Sequence, residues 1–282
     1  MEAGYDVRTM SRADLARTLE WAADEGWNPG LEDAPAFHAA DPLGFFMGWQ
    51  DEAPAAAIAV VNYDASFGFL GLYIARPEFR GQGLGLALWR EAMKRRPAKL
   101  IGLDGVVAQQ ANYARSGFRL AYRNIRFGGT APAAGAAPIT FAAARDVPFD
   151  LLAGYDRICF PAPRAAFLSL WLDPARGAAL AAIEDGRVRG LGAIRACRQG
   201  MKIGPLFADD GRIADALFRR LAGRAAEGQP IFLDVPEPNK SALGLAERYG
   251  MTPVFETARM YTGDPPAIDL ARIFGVTTLE LG

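Results

Sequence analysis

The stretch Tyr73-Ile74-Ala75-Arg76-Pro77-Glu78-Phe79-Arg80-Gly81-Gln82-Gly83-Leu84-Gly85-Leu86-Ala87-Leu88-Trp89 decides the reading of this chain. An almost unbroken apolar strand over 67–75 runs into a glycine-dense turn, and an amphipathic helix over 83–95 opens at once. Gly81, Gly83 and Gly85 carry no Cβ, so a ligand can approach the main chain closely. The free N–H groups of a first helical turn, with the helix dipole behind them, attract an anion. Arg80 adds a fixed positive charge at the mouth, and a pyrophosphate suits such a place. A P-loop would need Lys-Ser/Thr after the glycines, and none follows. A dinucleotide fingerprint would need Gly-x-Gly-x-x-Gly in the first βα unit, whereas Gly-x-Gly-x-Gly here follows four expected strands and two expected helices. On the loop alone, a glycine turn without a ligand stays open.

Working outward, the first half reads as strands over 7–10, 44–49 and 55–63 before the central strand. Helices lie over 14–21 and 32–39, the first with Ser11 as N-cap. A strand over 100–103, a helix over 108–115 and a strand over 119–127 follow the glycine loop. The second half repeats this order. It has a strand over 139–141, helices over 149–160 and 165–172, and strands over 179–184, 188–195 and 202–207. A helix over 213–226, a strand over 231–235, a helix over 241–248 and a strand over 252–261 complete it. Between the halves, 128–138 is dense in Gly, Ala and Pro and reads as a linker. The expected layout is therefore 1–128, a linker over 129–138, and 139–282, two copies of one architecture.

Bulk properties exclude several classes. The chain has 282 residues, long for one compact domain and comfortable for two. Its net charge is −1, with 31 basic and 32 acidic residues, so no polyanion partner is indicated. Lys94-Arg95-Arg96 has an ordinary explanation at a helix C-terminus. Cys159 and Cys197 are too few for a disulfide scaffold or a cysteine zinc site and read as buried thiols. His38 is the single histidine, and no Gly-x-Ser-x-Gly elbow accompanies it, which removes most histidine metal sites and the usual serine triad. The start of the chain lacks the features of a secretion signal, and no apolar run reaches a membrane span. A cytoplasmic protein without nucleic-acid or membrane partners is expected, as a monomer or homodimer.

Arg80-Gly81-Gln82-Gly83-Leu84-Gly85 resembles the pyrophosphate loop of the GNAT superfamily acetyltransferases, Arg/Gln-x-x-Gly-x-Gly/Ala, at each defined position. Tyr73-Ile74-Ala75 looks like the end of that family's fourth strand. Tyr113-Ala114-Arg115-Ser116-Gly117-Phe118 has the family's Tyr four residues before a Gly-Phe pair. The resemblance covers most of residues 5–127. It implies an α+β or α/β fold with a mixed, mainly antiparallel central sheet flanked by helices in each half. It implies acetyl-CoA as co-substrate, no metal, and direct attack of an amine on the thioester. Arg80, Gly81, Gln82, Gly83, Leu84 and Gly85 would hold the pyrophosphate, and the backbone of Tyr73, Ile74 and Ala75 the pantetheine. Tyr113 would protonate the leaving thiolate; packing as a core aromatic is its other reading. The region bordering the acceptor cleft would include Trp27, Asn28 and His38. Two departures stand out. Val106 occupies a position often held by Asn, and Phe67-Gly68-Phe69-Leu70 lacks an acidic residue. Asp104 remains as a possible base or as a cap of the turn Asp104-Gly105.

Residues 139–261 resemble a second, divergent GNAT unit, as in tandem members. Its loop position reads Gly204-Pro205-Leu206-Phe207-Ala208-Asp209-Asp210-Gly211-Arg212-Ile213, and Ala246 replaces the tyrosine. Carboxylates at a helix N-terminus repel a phosphate, so this copy is expected not to bind CoA and to serve as a wall or lid. Asp234, Glu237 and Asn239 stand at a strand end, with helix capping the expected role of Asn239. Acetylation of a small-molecule or amino-acid amine is the leading expectation. A protein or peptide acceptor and a non-catalytic acyl-CoA sensor are the alternatives.

Overall fold

A computed structural model describes residues 4–95, 98–132 and 139–282. The first half contains β1 (Tyr5–Thr9), α1 (Arg12–Asp24), α2 (Asp33–Ala40), β2 (Phe45–Gln50), β3 (Ala53–Asn62), β4 (Phe67–Ala75), α3 (Leu84–Lys94), β5 (Leu100–Val106), α4 (Gln110–Arg115) and β6 (Arg119–Thr130). The second contains β7 (Thr140–Ala143), α5 (Phe149–Cys159), α6 (Ala165–Trp171), β8 (Gly177–Glu184), β9 (Arg187–Ala196), β10 (Met201–Ala208), α7 (Gly211–Ala222), β11 (Pro230–Pro236), α8 (Lys240–Arg248), β12 (Thr252–Tyr261) and β13 (Ile273–Gly275).

Local rules explain the element ends. Ser11 and Asp14 form a reciprocal capping box at the start of α1. Strand β3 alternates between two cores: Ala56, Ile58 and Val60 face one helix layer, and Ala57, Ala59 and Val61 face the other. Of the 128–138 stretch expected to be a linker, Gly128, Gly129 and Thr130 extend β6, and 133–138 lie outside the described residues.

The strands do not form two separate sheets. They run in one order, β1-β2-β3-β4-β5-β12-β6-β11-β10-β9-β8-β7, with β13 against β10. The last strand of each half is thus exchanged. β12 lies antiparallel to β5, with Arg259 opposite Asp104, and β6 lies antiparallel to β11, with Arg126 opposite Asp234. The cores follow the exchange: Ala258 and Met260 of β12 pack with Leu84, Leu88, Trp89 and Phe118, while Phe127 of β6 packs with Leu217, Phe218 and Leu245. On the opposite face, α1, α2, α5 and α6 share one core drawn from both halves, which also takes Val276, Leu279 and Leu281.

Each half has a place where two parallel strands part. β4 and β5 pair only as far as Leu70 and Leu103, and β10 and β11 only as far as Ile203 and Leu233. In the first half the gap is open. In the second half, β13 lies against β10 at Leu206 and Phe207, and Phe274 fills the core there. Arg272, just before β13, reaches Asp209 at 3.1 Å and so pins the inserted strand. This strand had no counterpart in the sequence reading.

Candidate active site

Beyond Gly71 the backbone edge of β4 that faces β5 carries no ladder, so the groups of Tyr73, Ile74 and Ala75 on that edge are available to an extended amide-bearing ligand. The other edge stays zipped to β3, with Ala56 opposite Ala75. The turn into α3 takes left-handed backbone at Gly81 (φ 77°) and Gly83 (φ 80°), the conformation glycine tolerates best. Gly83 is the N-cap and offers no side-chain acceptor, which leaves the first-turn amides uncapped. Leu84 is buried in the core, so only its main chain can meet a ligand. The Gln82 side chain donates to Glu78 O at 2.8 Å. A Cβ on Gly85 would come within 2.9 Å of the Tyr73 hydroxyl, so glycine there keeps strand and helix close.

An open groove of about 1160 Å³ runs beside this turn, walled by Tyr73, Ile74, Ala75, Arg80, Leu86 and Trp89 among others. The loop 81–85 joins two of those wall residues. Arg80, Arg90, Lys94 and Arg115 give the groove a positive lining against the single carboxylate of Glu25. Arg80 itself donates to Ala75 O at 2.8 Å and pairs with Glu25.

A second, small cavity of about 40 Å³ lies where β4 and β5 part, and Trp27, Tyr73, Val106 and Tyr113 line both spaces. Tyr113 is therefore at their junction. Its ring stacks on Trp89 with centroids 6.0 Å apart, and Trp89 also meets Tyr73 edge-on at 5.2 Å. Burial, with the neighbouring Tyr73, pushes the Tyr113 phenol up to about 12, so it keeps its proton throughout the physiological range.

The remaining expected residues fall differently. Trp27 lines the cavity, and its carbonyl accepts from Arg126 at 2.5 Å. Asn28 does not line either space. Its amide is used in a reciprocal pair with the main chain of Gln199, each bond 2.9 Å, which clamps the halves together. His38 sits in the last turn of α2, away from both spaces. Asp104 does not follow its strand or cap a turn: β12 zips β5 out to Val106 and buries Asp104 within it. The Asp104 carboxylate accepts from Asn124 at 2.8 Å, Thr257 at 3.3 Å, and Arg259 at 3.0 and 2.6 Å. Asp234 lies in a buried ion pair with Arg126 at 2.6 and 2.9 Å. Burial alone would raise its carboxyl, but Arg126 holds it below the ordinary carboxylate range. Asn239 caps α8 through Ala242 N. In the second half Asp210 caps α7, accepting from Ile213 N at 2.8 Å, and Asp209 is engaged by Tyr155 and Arg189.

Missing from the sequence reading is the segment after Tyr261. It crosses the sheet face, with Val276 N donating to Asp234 O at 2.9 Å, and sets Leu279 and Glu280 into the cavity wall. The apolar residues Ile273, Phe274, Val276, Leu279 and Leu281, close together after a polar stretch, were the signal that could have marked it as buried.

Comparison with known proteins agrees with this geometry. Residues 12–118 match the Acetyltransferase (GNAT) family, and 152–275 match an Acetyltransferase (GNAT) domain. Holothin acyltransferase of Pseudoalteromonas sp. (strain SANK 73390) is 30% identical over 263 residues, which are 93% of this chain and 90% of that one. The chain belongs to the GNAT acyltransferases, as a tandem member. A Pyrococcus horikoshii protein solved as a candidate acetyltransferase superposes with a TM-score of 0.85 at 20% identity, covering 100% of this chain and 97% of that one. A tandem GNAT protein from the clavulanic acid biosynthesis pathway superposes with a TM-score of 0.63 at 12% identity, covering 93% and 99%. Both share the fold. The family uses acyl-CoA. No group of metal-ligating side chains occurs among the described residues, and no described helix is long and apolar enough to cross a membrane.

Proposed function

We propose that this tandem GNAT protein transfers an acetyl group from acetyl-CoA to the amine of a small molecule or amino acid. The observation that carries the reading is the junction at Tyr113. A positively lined groove large enough for a nucleotide meets, between two parting strands, a small cavity. Arg80 and the amides of 81–85 take the pyrophosphate, and the open edge of Tyr73, Ile74 and Ala75 takes the pantetheine amides. The thioester then lies near Tyr113. An amine entering from the cavity attacks the carbonyl carbon, and Tyr113 protonates the departing sulfur. A cavity of about 40 Å³ admits only the reacting end of an acceptor. Its wall contains residues from both halves, so the second half contributes to the acceptor site. With β13 seated in the second gap and Asp210 capping α7, one acetyl-CoA per chain is expected.

Calorimetric titration with acetyl-CoA should give one equivalent, abolished by Gly83→Asp, which sets a carboxylate at the phosphate position. Thiol release should then be followed across a panel of primary amines and amino acids that includes holothin, the acceptor named for the relative. A stoichiometry of two would defeat the single-site reading. Binding without turnover of any amine would favour an acyl-CoA sensor.

A further inference from the structure

We infer that Glu280 is the proton acceptor for the amine, supplied to the site by the chain segment that follows β12. The inference rests on the amine-acylation reading above. Glu280, Asp104 and Arg126 are the side chains in the cavity wall that carry full charge. Two of them are already committed: Asp104 accepts four hydrogen bonds from Asn124, Thr257 and Arg259. Arg126 spends its guanidinium on Asp234 and the Trp27 carbonyl. Glu280 is 4% exposed, and its carboxylate accepts from the hydroxyl of Thr278; Arg126 lies close enough to feel its charge but makes its hydrogen bonds to Asp234 and Trp27. A buried carboxylate without a bonded cation is costly in a fold. An incoming ammonium would complete it.

The position is built on both sides. Glu280 N donates to Thr278 Oγ1 at 3.3 Å, and the Glu280 carbonyl lies so near β4 that a Cβ on Gly71 would sit 1.8 Å from it. Arg164 reaches Thr277 Oγ1 at 2.8 Å and Gly282 O at 3.1 Å, and Tyr63 donates to Leu281 O at 2.8 Å. The backbone of Glu280 is thus fixed beside β4, and the residue forms part of the cavity wall. The other titratable or charged residues of the cavity wall are Tyr73 of β4, Asp104 of β5, Tyr113 of α4 and Arg126 of β6, the last coupled to it by charge.

The proton balance is complete with these groups. The acceptor ammonium gives one proton to Glu280, and the neutral nitrogen forms the C–N bond to the acyl carbon while the carbonyl electron pair moves to oxygen. That pair returns as the C–S bond breaks, and the thiolate takes the Tyr113 proton. The second proton, now on the acylated nitrogen, restores Tyr113. Glu280 releases the first proton to solvent as the amide leaves.

The test uses the full chain, with acetyl-CoA and those panel amines that the wild type acylates, from pH 6 to 10. Glu280→Gln should bind acetyl-CoA within twofold of wild type and lose about 100-fold in kcat/KM for the amine at neutral pH. Its rate should climb about tenfold per pH unit as free amine becomes available, whereas the wild-type profile levels off earlier. A variant within threefold of wild type, or a loss that is the same at every pH, overturns the assignment. Should Glu280→Gln not fold, Glu280→Asp must lose at least about tenfold in amine kcat/KM with acetyl-CoA affinity intact, and unchanged turnover overturns the idea. A wild-type chain that binds acetyl-CoA and acylates no amine overturns the parent reading, and Glu280 falls with it.

Discussion

Tyr113 is buried to 8% exposure, yet it borders both the groove and the cavity. Packing with Trp89 fixes its ring, and burial keeps its hydroxyl protonated to about pH 12. That value lies far above any working pH, so the acid arrives at the reaction carrying its proton. Tyr113→Phe keeps the stack and removes one hydroxyl. Acetyl-CoA affinity should hold within about twofold while kcat falls about 100-fold. Any pH dependence between 6 and 9 should persist in the variant, because Tyr113 does not titrate there. Unchanged kcat would return Tyr113 to a core aromatic. This residue was legible because its spacing to Gly117-Phe118 and its place after the glycine loop are local facts. Asn28 and Asp104 are each engaged by a partner far along the chain, Gln199 in one case and Arg259 in the other. No local pattern encodes such partners.

β4, with its buried run, was read to its ends, while α1 was placed by its Ser11 cap but read three residues short at its C-terminal end and two at its start. Their neighbours were not legible. Alternation says that 119–127 and 252–261 are strands, but not that each crosses into the other half. β13 was missed because three residues carry no periodicity, and its place is set by a gap that exists only in the assembled sheet. Gly71 shows how the elements and the tail depend on each other. Its lack of a side chain is explained by the Glu280 carbonyl, not by a turn. Gly71→Ala would force backbone against backbone, costing about 1–3 kcal/mol as overpacking does. Either β4 or the segment that carries Glu280 must shift to relieve the clash. Thermal melts should therefore show a lower Tm, and amine kcat/KM should fall while acetyl-CoA affinity stays within about threefold. Retention of both stability and amine turnover would mean that the tail does not need this crossing.

At the scale of the whole molecule, the exchange of β6 and β12 makes each half incomplete without the other. A fragment ending at Thr130 would keep the glycine loop, Tyr73 and Tyr113. It would lose the strand that pairs with β5 from Gly102 to Val106, and the Ala258 and Met260 side chains of its core. It would also leave Arg126 without Asp234. With β11 and β12 both absent, β6 would keep neither of the strands that flank it in the sheet. The helix layer of α1 and α2 would lose its shared core with α5 and α6 and expose an apolar face. The fragment 1–130 is thus expected to aggregate or to melt without a cooperative transition, despite holding every residue of the acyl-CoA groove. Connectivity itself should matter less than the exchanged strands. A protein cut between residues 132 and 139, with both pieces expressed together, should assemble and titrate one acetyl-CoA. A soluble, monomeric 1–130 with wild-type acetyl-CoA affinity would show that β12 is dispensable to the first half, and failure of the two pieces to assemble would show that the exchange needs an unbroken chain.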